Sequence, residues 1–189
     1  PVRKRDLDED ELEVIKSFNL ITLKPIIYVA NVSEEDILNG GNDYYKRVCE
    51  YAKNENSEVV MICAKIESEL AELNDDDKKA FLNELGIAES GLDQLIKKTY
   101  SLLGLATFFT AGSDEVKAWT FRKGMKAPQC AGIIHTDFER GFIRAEVMSY
   151  DDLVKYGSEK DVKDNGKMRL EGKEYLMQDG DICYFRFNV

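Results

Sequence analysis

Residues 25–34, PIIYVANVSE, form a continuous apolar run that ends abruptly in polar residues, and their reading decides the fold. The run is rich in β-branched side chains and too short for a buried helix, so it predicts a fully buried parallel strand. Gly40-Gly41-Asn42 then breaks the chain, and residues 43–55 carry a helical pattern. Glu58-Val59-Val60-Met61-Ile62-Cys63 repeats the apolar run. Strand, helix and strand make a βαβ unit with an expected right-handed crossover. In such open parallel sheets, ligands bind beyond the carboxyl ends of the strands. Asn31-Val32-Ser33-Glu34 and Cys63-Ala64-Lys65 stand at those ends. An amide that gives and takes hydrogen bonds, a carboxylate and free backbone N–H groups suit a nucleobase edge. Taken alone, the same residues also suit ordinary turns after strands.

Working outward, residues 6–18 open with acids and place Leu12, Ile15 and Phe18 along one side of a short amphipathic helix. Asn74-Asp75-Asp76-Asp77 supplies a cap and first-turn carboxylates to a helix that should stop at Gly86. Gly91 to Leu103 reads as a further amphipathic helix closed by Gly104. Beyond it the texture changes to short alternating segments: Thr107 to Thr110, Val116 to Arg122, Ile143 to Met148, Tyr175 to Met177 and Ile182 to Asn188. A helix is expected after Pro128. The second half is thus a small α+β domain.

The chain has 189 residues, 43% of them hydrophobic, enough for a buried core. Its net charge of -10 is uneven: residues 1–104 hold 13 basic and 22 acidic residues, residues 105–189 hold 13 and 14. Nucleic-acid contact therefore belongs, if anywhere, to the second half. Cys49, Cys63, Cys130 and Cys183 lack the paired spacing of zinc or redox sites and read as reduced cytosolic thiols. No leader pattern opens the chain and no apolar run approaches the roughly 20 residues of a membrane helix, so a soluble, unexported, cytoplasmic protein is expected. The chain opens at Pro1 without methionine, which suggests a processed chain or a fragment.

The two loops resemble the N-K-x-D and S-A-K base-recognition loops of the translation-factor-related P-loop GTPases, in the same order. With N-x-x-E in the first loop, the chain is similar to the Obg-related YchF subfamily, also called Obg-like ATPases. Phe108-Phe109-Thr110-Ala111-Gly112, Glu115 to Thr120, Lys126-Ala127-Pro128-Gln129, Ile134 to Phe138, Gly141 to Val147, Glu171 to Tyr175, Asp179-Gly180-Asp181 and Phe185 to Asn188 resemble the terminal TGS domain of that subfamily. The resemblance implies the end of a helical insertion over 1–18, the C-terminal part of a P-loop α/β domain over 19–104 and a β-grasp TGS domain over 105–189. It also implies an intact protein that binds and hydrolyses ATP with magnesium in preference to GTP, and that associates with the ribosome or ribosomal RNA. Nucleotide contact falls on Asn31, Val32, Glu34, Cys63, Ala64 and Lys65. Glu34 would replace the aspartate that accepts from guanine N1–H and N2–H, and one extra methylene spoils that two-point grip. Lys65 would lend its stem and backbone near the base or ribose, or serve as a structural loop lysine. None of the 13 glycines begins a G-x-x-x-x-G-K-[ST] pattern, so this chain alone is expected to be inactive. With leading strands lacking, the first domain should expose a sheet edge and be the less stable of the two.

The only histidine, His135, has no titratable partner nearby in sequence and reads as a packed or capping residue rather than a general base. Lys117, Trp119, Phe121 and Lys123 share one strand face. That pattern suits base stacking and phosphate contact, while a tryptophan on a small sheet also suits the core. Arg122 joins them as a candidate ribosome contact. Lys163, Lys167, Arg169 and Lys173 form a basic strip that is either solvated surface or RNA contact, Lys167, Arg169 and Lys173 being retained as candidates. Asp75 to Asp77 and Asp151-Asp152 lack calcium-type spacing, and read as a helix cap and a solvated turn, so no metal site is assigned. A module that binds RNA, ribosome or protein independently of nucleotide is the competing reading.

Overall fold

The computed structural model describes residues 1–112 and 115–188. Two compact units divide the chain, Pro1–Leu102 and Leu103–Val189.

The first unit opens with α1 (Glu9–Lys16), whose cap Asp8 accepts from the Glu11 N–H at 2.8 Å while the Glu11 carboxylate accepts from the Asp8 N–H at 3.2 Å. Strand β1 (Ile27–Asn31) is followed by α2 (Glu34–Leu38) and α3 (Asp43–Asn54). Strand β2 (Glu58–Ile62) leads into α4 (Ala64–Ala71), α5 (Asp75–Glu84) and α6 (Gly91–Leu102). β1 and β2 pair in parallel, with Ile27 opposite Glu58 and Asn31 opposite Ile62. The strands are less buried than the apolar runs suggest. Val29 is 45% exposed, and Val60 is the one residue of the two strands that is fully buried. A sheet of two strands has an open edge on each, and α3 and α6 shield only part of its surface.

Gly91 sets how closely α6 approaches the sheet. A Cβ there would lie 2.6 Å from Ile62 Cγ2 and 3.0 Å from Glu67 Oε1. The Glu67 carboxylate uses that space to accept from the Gly91 N–H at 2.7 Å, at the start of α6. Below the carboxyl end of the strands, Cys63, Ile66 and Leu70 are buried against Ile37, Phe81, Leu82 and Ile87.

The second unit begins with the antiparallel pair β3 (Leu105–Ala111) and β4 (Val116–Arg122). Then come α7 (Ala127–Ile134), α8 (Thr136–Arg140), β5 (Phe142–Ser149), α9 (Tyr150–Tyr156), α10 (Glu159–Asp164), β6 (Arg169–Glu171) and β7 (Asp181–Phe187). The sheet order is β4-β3-β7-β5-β6, with β3 and β7 parallel and the other neighbours antiparallel. Phe108, Phe121, Phe142, Val147 and Phe185 from the sheet meet Ala127, Cys130 and Ala131 of α7 in one core. The small α7 residues allow the helix to lie close to the aromatic face.

Two expectations for this unit need correction. Tyr175 to Met177 does not form a strand: the Tyr175 N–H donates to Gly172 O, Tyr175 O accepts from the Ala127 N–H, and the Met177 N–H donates to Met125 O. Those bonds satisfy the segment as a loop, with a single bridge between Leu176 and Lys126, and the ladder position beside β5 goes to β6 instead. Asp151-Asp152 is not a solvated turn but the first turn of α9, where Ser149 Oγ accepts from the Asp152 N–H at 3.1 Å.

Candidate functional site

At the carboxyl ends of β1 and β2 the two polar loops are joined by three links. Asn31 closes β1, and its Oδ1 accepts from the Ala64 N–H at 3.0 Å. That bond fixes the amide's orientation, because only the carbonyl oxygen can accept, and it leaves the Nδ2 hydrogens without a protein acceptor among the described residues. One residue on, the Val32 N–H donates to Ile62 O at 2.8 Å, which extends the ladder past the strand. Glu34, first in α2, and Lys65, second in α4, complete the set, with Lys65 Nζ 2.9 Å from Glu34 Oε1.

The helix that follows β1 anchors the backbone of this rim. Ser33 caps α2 by accepting from the Asp36 N–H at 3.1 Å, and its hydroxyl donates to Asp36 Oδ2 at 2.8 Å. Asn42 Nδ2 donates to the same carboxylate oxygen at 2.9 Å. Together the hydroxyl and the amide hold the Asp36 carboxyl below its ordinary range. The Lys65 ammonium is held above its ordinary value, first by its hydrogen bond to Glu34 and then by that group's charge. With 68% of the Lys65 side chain and 44% of the Glu34 side chain exposed, both can reach a ligand.

The sequence predicts a loop over residues 63–65, whereas Ala64 and Lys65 begin α4. The structure brings Asn31, Val32, Glu34, Ala64 and Lys65 together around one polar rim. The Cys63 side chain is buried beneath it with Ile66 and Leu70, so that residue faces the rim only through its backbone.

The basic candidates of the second unit separate into two groups. Lys117, Arg122 and Lys123 lie on or just after β4, an edge strand, and all are exposed. Lys117 Nζ sits 4.3 Å from the centre of the Trp119 ring, a cation–π contact. Trp119 itself stacks on Phe108 and donates from Nε1 to Thr110 Oγ1 at 2.9 Å, so it belongs to the rim of the core. Lys167 and Lys173 flank β6 and are exposed. Arg169 is already engaged: its Nη2 lies 3.0 Å from Asp181 Oδ1 and 3.0 Å from the Tyr175 hydroxyl. Asp181 is 2% exposed and also accepts from the Tyr175 hydroxyl at 2.8 Å and the Gln178 N–H at 2.9 Å. This network makes Arg169 the counter-ion of a buried carboxylate. Sequence reasoning missed it, although an aspartate opening an otherwise apolar strand, Asp181-Ile182-Cys183, signals a buried charge that needs a partner.

His135 caps α8, its Nδ1 accepting from the Asp137 N–H at 3.2 Å, and it does have a titratable neighbour two residues on, the Asp137 Oδ2 at 3.5 Å. Burial, with the nearby Asp181 charge second, pushes the Cys130 thiol up to about 12 and raises Cys183 as well, which suppresses the reactive thiolate. Among the described residues no group of three or more His, Cys, Asp or Glu could hold a metal ion, and no helix is long and apolar enough to cross a membrane.

Comparison with known proteins bears on both units. The family model YchF-GTPase_C, "Protein of unknown function (DUF933)", matches residues 105–188. The whole chain aligns with the "Ribosome-binding ATPase YchF" of Bacillus subtilis at 60% identity over 190 residues, 52% of that protein. It aligns with the rat "Obg-like ATPase 1" at 44% identity over 192 residues, 100% of this chain and 48% of the relative. The solved "Structure of the Schizosaccharomyces pombe YchF GTPase" superposes with a TM-score of 0.85 at 38% identity, covering 98% of this chain and 50% of that one, so the mixed α/β fold matches it. The chain thus spans about half the length of the curated relatives it matches.

Proposed function

Since the chain belongs to the YchF / Obg-like ATPase family, as its C-terminal part, we propose that it supplies the base-reading loops and a docking domain to a ribosome-associated ATPase. The first unit is the trailing part of a P-loop α/β domain. In it, Asn31 Nδ2 donates to an acceptor on the adenine edge, Val32 lies against the ring, and the Ala64 and Lys65 backbone closes the rim. The second unit is a β-grasp TGS domain, whose cations Lys117, Arg122, Lys123, Lys167 and Lys173 meet ribosomal RNA phosphates, with Arg169 contributing through its exposed face. ATP and magnesium belong to the longer protein, where a phosphate-binding loop performs hydrolysis, in the cytoplasm. This chain alone is inactive as an ATPase.

The observation that carries this reading is the convergence of Asn31, Glu34, Ala64 and Lys65 at the ends of two parallel strands, joined by the 3.0 Å and 2.9 Å contacts. Titrating the chain with AMP and GMP, followed through the Val32 and Ala64 amide signals, tests it. AMP should bind more tightly, and Glu34→Asp should shift the ratio toward GMP by restoring the shorter carboxylate. A wild-type chain that prefers GMP, or a ratio unmoved by Glu34→Asp, would sink this account of the loop.

The exposed Lys117, Arg122 and Lys123 on an edge strand also favour a second reading, in which the chain docks on RNA or protein whatever nucleotide is present. Binding to ribosomes that does not change with ATP, together with no base selectivity, would support it over the first.

A further inference from the structure

We propose that Lys65 and Glu34 act as one joined donor–acceptor pair that reads the hydrogen-bonding edge of adenine, with Lys65 as a specificity-determining residue. This rests on the base-reading function proposed above.

A carboxylate only accepts and an ammonium only donates. Alone, a carboxylate offers two acceptors side by side, the pattern of the N1–H and N2–H donors of guanine, which the longer Glu34 side chain reaches less well than an aspartate would. Adenine presents a different edge, an N1 acceptor beside an N6–H donor. With Lys65 Nζ 2.9 Å from Glu34 Oε1, one carboxylate oxygen is covered and a donor stands beside the remaining acceptor. Donor beside acceptor matches adenine and sets an N–H against the N–H of guanine. The extra methylene of glutamate then has a positive role: it carries the carboxylate across to the second loop, where the lysine meets it.

The surrounding structure fixes the backbone from which both side chains extend. Glu34 stands at the start of α2, capped by Ser33, and Lys65 at the start of α4, immediately after the Ala64 N–H held by Asn31. Asp36, also in α2, takes its hydrogen bonds from Ser33 and Asn42, while Lys65 pairs with Glu34 and feels the Glu69 charge only as a lesser influence. An exposed ion pair of this kind contributes little to stability, so a variant at Lys65 should fold. Against a bound base, which excludes water, the mismatched donor weighs far more, because a polar group left unpaired in a closed site is heavily penalised.

The test is the AMP and GMP titration of the 189-residue chain as wild type, Lys65→Met and Lys65→Arg, with the amide spectrum of each variant confirming the fold. Lys65→Met removes the donor beside the Glu34 carboxylate, so AMP binding should weaken far more than GMP binding, lowering the AMP-to-GMP affinity ratio by about tenfold or more. Lys65→Arg keeps a donor beside the carboxylate and should keep most of the ratio. If the wild type prefers AMP and Lys65→Met weakens both nucleotides equally, the pairing is structural and the inference is overturned while the base-reading function stands. If the wild type binds neither nucleotide, the base-reading function fails, and this inference with it.

Discussion

The two units have similar lengths and very different interiors. Of the buried hydrophobic residues among those described, five (Ala52, Val60, Cys63, Ile66 and Leu70) lie in the first unit and fifteen in the second. Phe108 and Phe121 rank among the largest fully buried side chains, and both belong to the second unit. Both units leave apolar side chains more than half exposed, Val14, Phe18 and Ile21 in the first and Val116, Val154 and Leu170 in the second, so the contrast lies in the buried core. Because stability grows with buried apolar area, the second unit should be the more stable and should unfold later. The difference teaches a contrast in construction: the second unit is held by an aromatic core, while the first has few buried side chains and joins its two strand-end loops by polar links.

The strongest way to break this comparison is to empty the better core. Phe108→Ala removes a ring that meets Trp119, Phe121 and Phe185, and should cost the second unit about 3–5 kcal/mol. Urea unfolding followed by the fluorescence of Trp119, the single tryptophan, reports that unit selectively. An unshifted midpoint would show that the aromatic core is not what holds the sheet.

Next in size is the buried charge. Arg169→Met leaves Asp181 with only the Tyr175 hydroxyl and the Gln178 N–H, and should cost about 2 kcal/mol, less than a fully buried pair because the guanidinium is 44% exposed. The same variant distinguishes its roles: a drop in thermal stability with unchanged ribosome binding would confine Arg169 to the interior.

For the first unit, Gly91→Ala places a Cβ against Ile62 and Glu67 and should cost about 1–3 kcal/mol by pushing α6 off the sheet. Circular dichroism of the earlier transition would detect it, and a neutral result would mean that α6 floats freely over β2.

The smallest effect concerns pH. The Asp36 carboxyl titrates below its ordinary value because Ser33 and Asn42 stabilise the charged form. Its contribution is therefore fully present above the unfolded-state value and is lost as the pH falls through the lowered folded value. Asp36→Asn should flatten the acid end of the first unit's stability profile while leaving the second unit's unchanged.

Much of this architecture is readable in the sequence, and what is not has identifiable causes. The apolar runs ending at Asn31 and Cys63 mark β1 and β2, and Gly86 and Gly104 mark helix ends through their positive φ of 69° and 63°. The short helices α2, α9 and α10 escape a search for apolar periodicity because one or two turns cannot show it. A capping signal was nevertheless present. Ser33, Ser90, Ser149 and Ser158 each precede an aspartate by three residues, accept from its N–H at 3.0–3.1 Å and donate to its carboxylate. The contacts that define the candidate site are of another kind. Asn31 with Ala64, and Glu34 with Lys65, join residues more than thirty positions apart, and only the parallel register of β1 and β2 makes them neighbours.

The central claim, that the second unit docks by charge while the first reads the base, is tested most directly by ribosome co-sedimentation. The wild-type chain and a Lys117→Glu/Arg122→Glu/Lys123→Glu variant would be compared across a salt series, with and without ATP. The account predicts wild-type binding that needs no ATP, falls with salt at a logarithmic slope of roughly −2 to −3 if three phosphates are met, and disappears in the variant. Binding by the variant equal to the wild type at every salt concentration would contradict it.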